Sequence, residues 1–119
     1  MPYNTKFWDQ LVLQSYKILL KRKPDSALIH TNLGLAYVRM KKDNKAVRSF
    51  QRAIKCDKAY AEAYYHLGMT YKRMGKIEEA LRSFLHYSRL NKKDKYKNPF
   101  VNELVEGLEL EKLEKPQQP

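Results

Sequence analysis

Leu33-Gly34-Leu35-Ala36-Tyr37-Val38-Arg39-Met40 returns 34 residues later as Leu67-Gly68-Met69-Thr70-Tyr71-Lys72-Arg73-Met74. The same offset lays Ala46-Val47-Arg48-Ser49-Phe50 on Ala80-Leu81-Arg82-Ser83-Phe84. A fixed period of this size is the mark of a repeat architecture. Each period reads as two helices. Leu33, Gly34 and Tyr37 share one face of the first. Ala46, Phe50, Ala53 and Ile54 form an apolar stripe on the second, at the three-to-four-residue spacing of an α-helix. Short polar turns separate the two, Lys41-Lys42-Asp43-Asn44 in one unit and Gly75-Lys76-Ile77 in the other. Turns this short make the helices antiparallel neighbours.

The small residues then have a physical role. Gly34 and Gly68 on the first helices, with Ala46 and Ala80 on the second, let the backbones approach closely. Tyr37, Phe50, Tyr71 and Phe84 fill the remaining volume. One pair cannot bury its apolar face alone, so pairs stack and share a continuous core.

These residues resemble the tetratricopeptide repeat. The family pattern places Leu-Gly, a Tyr three residues on, then Ala, Phe, Ala and a closing Pro. Leu33, Gly34, Tyr37, Ala46, Phe50 and Ala53 follow it in one copy, and Tyr64, Leu67, Gly68, Tyr71, Ala80 and Phe84 in the next. His30 departs at the first aromatic position, Lys58 and Lys92 replace the Pro, and Tyr87 replaces the last Ala. The resemblance implies an all-α fold, a short right-handed α-solenoid of antiparallel helix pairs that binds other proteins in its concave groove.

Carried backwards, the frame puts Val12, Tyr16, Leu19 and Pro24 where the repeat wants Ala, Phe, Ala and Pro. A helix over 4–22, capped by Asn4 or Thr5, therefore reads as the second helix of a repeat whose first is missing. Phe7, Trp8, Leu11, Val12, Tyr16, Leu19 and Leu20 give it a broad apolar face. Phe7, Trp8 and Leu11 form an edge with no partner in their own repeat. The expected organisation is one domain over 1–119. It comprises an N-terminal half-repeat over 1–26, repeats over 27–60 and 61–94, a capping helix over 95–113 and a disordered tail over 114–119. Asn91 to Lys97 reads as a basic linker. Asn98-Pro99 opens the last helix as cap and first residue, with Val101, Leu104, Val105 and Leu108 on one face.

No apolar run approaches the roughly 18 residues of a membrane span, and no apolar stretch follows Met1 as in a signal peptide. A lone Cys56 excludes an internal disulfide and fits a reducing, cytoplasmic setting; it reads as a small core residue. The net charge is +11, which attracts polyanions and acidic proteins. Nucleic-acid binding wants the cations on one face. Here Lys45, Arg48, Arg52 and Lys55 fall on outer surfaces while Arg39, Lys72 and Arg73 fall near the inner one, which weighs against it.

No catalytic constellation is evident. His30, His66 and His86 have no Cys or carboxylate at metal-ligand spacing, and His30 reads as a packed core histidine. The four glycines are isolated, so no phosphate loop forms. Neither a metal nor a cofactor is expected, and the chain reads as a non-enzyme. The remaining candidate is the groove, where the repeat frame turns Asn32, Leu35, Val38, Arg39, Tyr65, His66, Met69, Lys72 and Arg73 inward. Arg39 and Arg73, equivalent in consecutive repeats, are expected to hold carboxylates of an acidic peptide or helix. The family's carboxylate clamp of Lys, Asn, Asn, Lys and Arg does not carry over. Asn32 matches, but Thr31, Leu35, Glu62 and His66 stand at other clamp positions. The alternatives are a homodimer through Phe7, Trp8 and Leu11, or a basic nucleic-acid-binding repeat.

Overall fold

The computed structural model describes residues 5–91 and 99–114. The linker from Lys92, the cap at Asn98, the option of Asn4 as a cap and the tail beyond Glu114 lie outside the described residues. Among those described there are six helices and no strand: α1 (Thr5–Arg22), α2 (Ala27–Arg39), α3 (Asp43–Cys56), α4 (Ala61–Arg73), α5 (Ile77–Leu90) and α6 (Pro99–Glu114). Each helix packs on the next, and α2 also meets α4. The result is an all-α solenoid of antiparallel helix pairs.

Local chemistry sets the helix ends. The Ser26 hydroxyl caps α2 by accepting the Ile29 N–H at 3.2 Å, one of the donors a helix start leaves unpaired. The α2 terminus closes with Lys41 N–H donating to the Val38 carbonyl and Lys42 N–H to Tyr37. Lys41 stands in the left-handed region at φ 59°. The end of α4 repeats this closure 34 residues on, with Gly75 at φ 76° and Lys76 N–H donating to Tyr71. Both are Schellman closures, in which one left-handed residue turns the chain. The helix then restarts at Asp43, so the expected four-residue turn ends two residues early. A carboxylate in the first turn favours that start by complementing the helix dipole.

Glycine and phenylalanine build the seam within each pair. A Cβ on Gly34 would stand 2.5 Å from the Phe50 ring, and one on Gly68 would stand 2.7 Å from Phe84. Neither ring could stay where it is. Ala46, Phe50, Ala53, Ala80 and Phe84 are wholly buried. A phenylalanine so placed contributes about 2–3 kcal/mol by removal from water. Buried hydroxyls satisfy themselves locally: Thr31 donates to the Ala27 carbonyl and Thr70 to the His66 carbonyl, each at 2.8 Å. His30 is buried and its Nε2 donates to the Pro24 carbonyl at 2.9 Å, tying α2 to the turn before it.

Two expectations change. Cys56 is exposed rather than in the core. It is the last residue of α3, and its neighbour is the Pro24 carbonyl, 3.8 Å from Sγ. On α1 the buried residue is Leu13, packed with Leu33 and Ala36 and flanked by Val12, Tyr16 and Leu20. Leu19 is instead exposed. The reason is which side α1 buries. Leu13 stands at the position of Val47 and Leu81, which face the following helix. Leu19 stands at that of Ala53, buried within a pair that α1 does not complete.

Candidate functional site

Where α2 runs beside α4, their inner faces enclose an open cleft of about 360 Å³. Leu35 and Val38 line it from α2; His66, Met69, Thr70, Lys72 and Arg73 line it from α4. The 34-residue period produces this pairing. Leu35 and Met69 are equivalent positions, as are Val38 and Lys72, so consecutive first helices present matching residues to one trough. The floor is apolar, and Lys72 and Arg73 are exposed at the last turn of α4.

Six of the nine groove residues named from sequence meet here: Leu35, Val38, His66, Met69, Lys72 and Arg73. Three do not. Tyr65 turns toward α5, its ring 5.4 Å from Tyr87 and 6.3 Å from Phe84. Asn32 is half-buried and Arg39 exposed, both outside the lining. Arg73 is not a free cation either, since its guanidinium donates to the Asp43 carboxylate at the start of α3. Arg39 and Arg73 thus stand in unlike surroundings despite equivalent positions. The signal for that ion pair was topological: an antiparallel stack brings the first residue of α3 to the last turn of α4. Thr70, the lining residue absent from the sequence reading, sits beside Met69 at the position of Ala36.

His66, in the wall of the cleft, has a shifted protonation equilibrium. Its ring stacks on Phe50, centroids 5.9 Å apart and planes at 22°. Burial holds its pKa below the ordinary 6.5, with Glu62 acting in the opposite sense, because a low-dielectric wall disfavours the imidazolium. Near neutral pH the cleft therefore presents an uncharged imidazole beside two cations.

A second concavity lies between α1 and α3. Lys17, Lys21, Lys45, Arg48 and Arg52 line an open cleft of about 510 Å³ that also reaches Tyr37. The outer cations thus converge more than the sequence suggested, because stacking brings α1 alongside α3. Lys45 stands over the Tyr37 ring, 5.9 Å from its centroid. No carboxylate lines this cleft. Among the described residues, no group of three or more His, Cys, Asp or Glu could hold a metal ion. No described helix is long and apolar enough to cross a membrane.

Two sequence-family models match the chain, a TPR repeat over residues 38–75 and a tetratricopeptide repeat over 61–94. These helix pairs are tetratricopeptide repeats. In the tetratricopeptide frame, α2 and α4 are the first helices of their repeats, and the cleft lies on the side those helices share. No curated protein matches the sequence significantly. Solved structures share its fold, two of them TPR domains. The first TPR of Spaghetti (RPAP3), bound to the HSP90 peptide SRMEEVD, superposes with a TM-score of 0.78 at 21% identity. That match covers 95% of this chain and 86% of that one. The TPR2B domain of yeast Sti1, in complex with an Hsp70 peptide, gives 0.78 at 17%, covering 92% and 89%. The Yersinia enterocolitica type III secretion chaperone SycD, with a peptide of the translocator YopD, gives 0.80 at 15%, covering 91% and 85%.

Proposed function

We propose that the protein is a non-catalytic protein–protein interaction module, and that the cleft between α2 and α4 takes a short acidic segment with an apolar anchor. The observation that carries this reading is the composition of the trough: an apolar floor of Leu35, Val38 and Met69 leading to exposed Lys72 and Arg73. An apolar anchor would lie on the floor, and carboxylates would meet Lys72 and compete with Asp43 for Arg73 at the α4 terminus through charge-assisted hydrogen bonds. The tetratricopeptide structures with bound peptides support a peptide ligand of this general kind. The family's carboxylate clamp is not rebuilt here, since Thr31, Leu35, Glu62 and His66 occupy its positions. The preferred peptide therefore differs from theirs in sequence.

Fluorescence anisotropy with labelled heptapeptides, each pairing one Leu or Met with three Glu, tests the reading. Binding is expected with Kd of about 1–100 μM. Lys72→Glu should weaken it about tenfold, as should Met69→Asp or replacement of the peptide's Glu by Gln. Peptides that bind both variants as well as the parent, or that fail to bind below about 1 mM, would sink it.

A further inference from the structure

The outer side of α1 is apolar where the outer sides of α3 and α5 are charged. Phe7, Trp8, Leu11, Ile18 and Leu19 are 61%, 57%, 48%, 56% and 45% exposed. The 34-residue frame makes the contrast specific. Trp8, Leu11 and Ile18 stand where α3 has Lys45 and Arg52, preceded by Lys42, and where α5 has Glu79 and His86, preceded by Lys76. Completed repeats keep those positions polar. On α1, Trp8, Leu11, Ser15, Ile18 and Arg22 follow one another at intervals of three and four, the spacing of a seam between two paired helices. Ser15 at its middle is small and exposed, and its hydroxyl is turned back onto the Leu11 carbonyl at 2.9 Å. The opposite side of α1 is already packed on α2 through Leu13. A helix apolar on two sides is built to be covered on both.

We propose that the outer face of α1 is a second docking surface, for an acidic amphipathic helix of a partner protein. The charges select this occupant. Beside the apolar strip lies the cleft of Lys17, Lys21, Lys45, Arg48 and Arg52, with no carboxylate in its lining. A helix laid along Trp8, Leu11 and Ile18 brings the carboxylates on its flank over these cations. A second copy of this chain suits the surface less well. Its own α1 would set Lys17, Lys21 and Arg22 against a body that already carries +11. The outward positions of α6, among them Asn102, Glu103 and Glu106, are polar and exposed, so head-to-tail stacking would leave the strip against a polar face. This surface is separate from the cleft between α2 and α4 and does not depend on how that cleft is used.

Trp8 is the only tryptophan, so its emission reports on the surface directly. The probe is a synthetic 18-residue helix with Leu along one stripe and Glu along its flank, compared with a scrambled peptide of equal charge. The amphipathic peptide should blue-shift Trp8 emission with Kd of about 10–100 μM, and the scrambled one should not. Ile18→Glu and Arg48→Glu should each weaken binding about tenfold. Both positions are exposed, so circular dichroism should show an intact fold. Equal binding of the scrambled peptide would reduce the surface to general polyanion attraction and overturn the proposal. A free protein that sediments as a dimer, and as a monomer after Ile18→Glu, would give the surface to a second copy. A blue shift with anionic vesicles and none with the peptide would give it to a membrane.

Discussion

In the α2–α3 pair the seam is Gly34 against Phe50, and in the α4–α5 pair it is Gly68 against Phe84. These contacts superimpose in the repeat frame almost residue for residue, and the Ala positions beside them are equally buried. Away from the seam the pairs part company. The left-handed turn residue is Lys41 in one and Gly75 in the other. The cleft lining takes Val38 from one and Lys72, at the equivalent position, from the other. The difference teaches where each property resides. Positions that let two helices approach are duplicated because close packing admits few solutions. Positions facing the cleft diverge because nothing in the fold constrains them, and there the two repeats acquire separate chemistry.

The largest expected effect falls on what the pairs share. Phe50→Ala and Phe84→Ala should each cost about 3–5 kcal/mol, since each empties a wholly buried aromatic site facing a glycine that cannot refill it. Urea denaturation of both variants checks this. A loss below about 1 kcal/mol in either would show that the two seams are not equivalent supports of the stack.

The same distinction explains how far the sequence could be read. The pairs and their antiparallel order follow from glycines and aromatics at a fixed period, because packing imposes that period. Cys56 escaped because its surroundings at the end of α3 are set by the Pro24 carbonyl of another turn. Tyr65 escaped because helical phase alone does not say whether a long ring turns to the cleft or, as here, onto Tyr87 and Phe84. The Arg73–Asp43 pair joins residues 30 apart and depends on which helix ends meet in space. The cationic cleft likewise needs α1 and α3 side by side before Lys17 and Lys21 join Lys45 and Arg52.

The turn residues offer a smaller contrast with opposite signs. Lys41 adopts the left-handed conformation with a side chain that disfavours it, whereas Gly75 adopts it freely. Lys41→Gly should stabilise the protein by about 0.5–1 kcal/mol, the relief of strain being partly offset by a more flexible unfolded chain. Gly75→Ala should destabilise by about 1 kcal/mol. A Cβ there meets nothing within 4 Å, so that cost is purely conformational. If both substitutions shifted the thermal midpoint in the same direction, the left-handed turn would not be what distinguishes the pairs.

The smallest expected effect separates His66 from Asn32, its equivalent in the other pair. Burial lowers the His66 pKa in the fold, outweighing the upward pull of Glu62. The unfolded chain therefore takes up the proton first as pH falls. The stability contributed by the neutral ring is fully present above its ordinary pKa of 6.5. It declines as pH drops from there through the lower folded-state value. Urea midpoints measured at about pH 7.5 and about pH 5 should fall further in the parent than in His66→Asn, which copies Asn32 into the second pair. Every other titratable group is common to both proteins and cancels in the comparison. An equal fall in both would mean that the Phe50 ring does not shield His66 from water, and that the second pair owes nothing of its pH response to that stack.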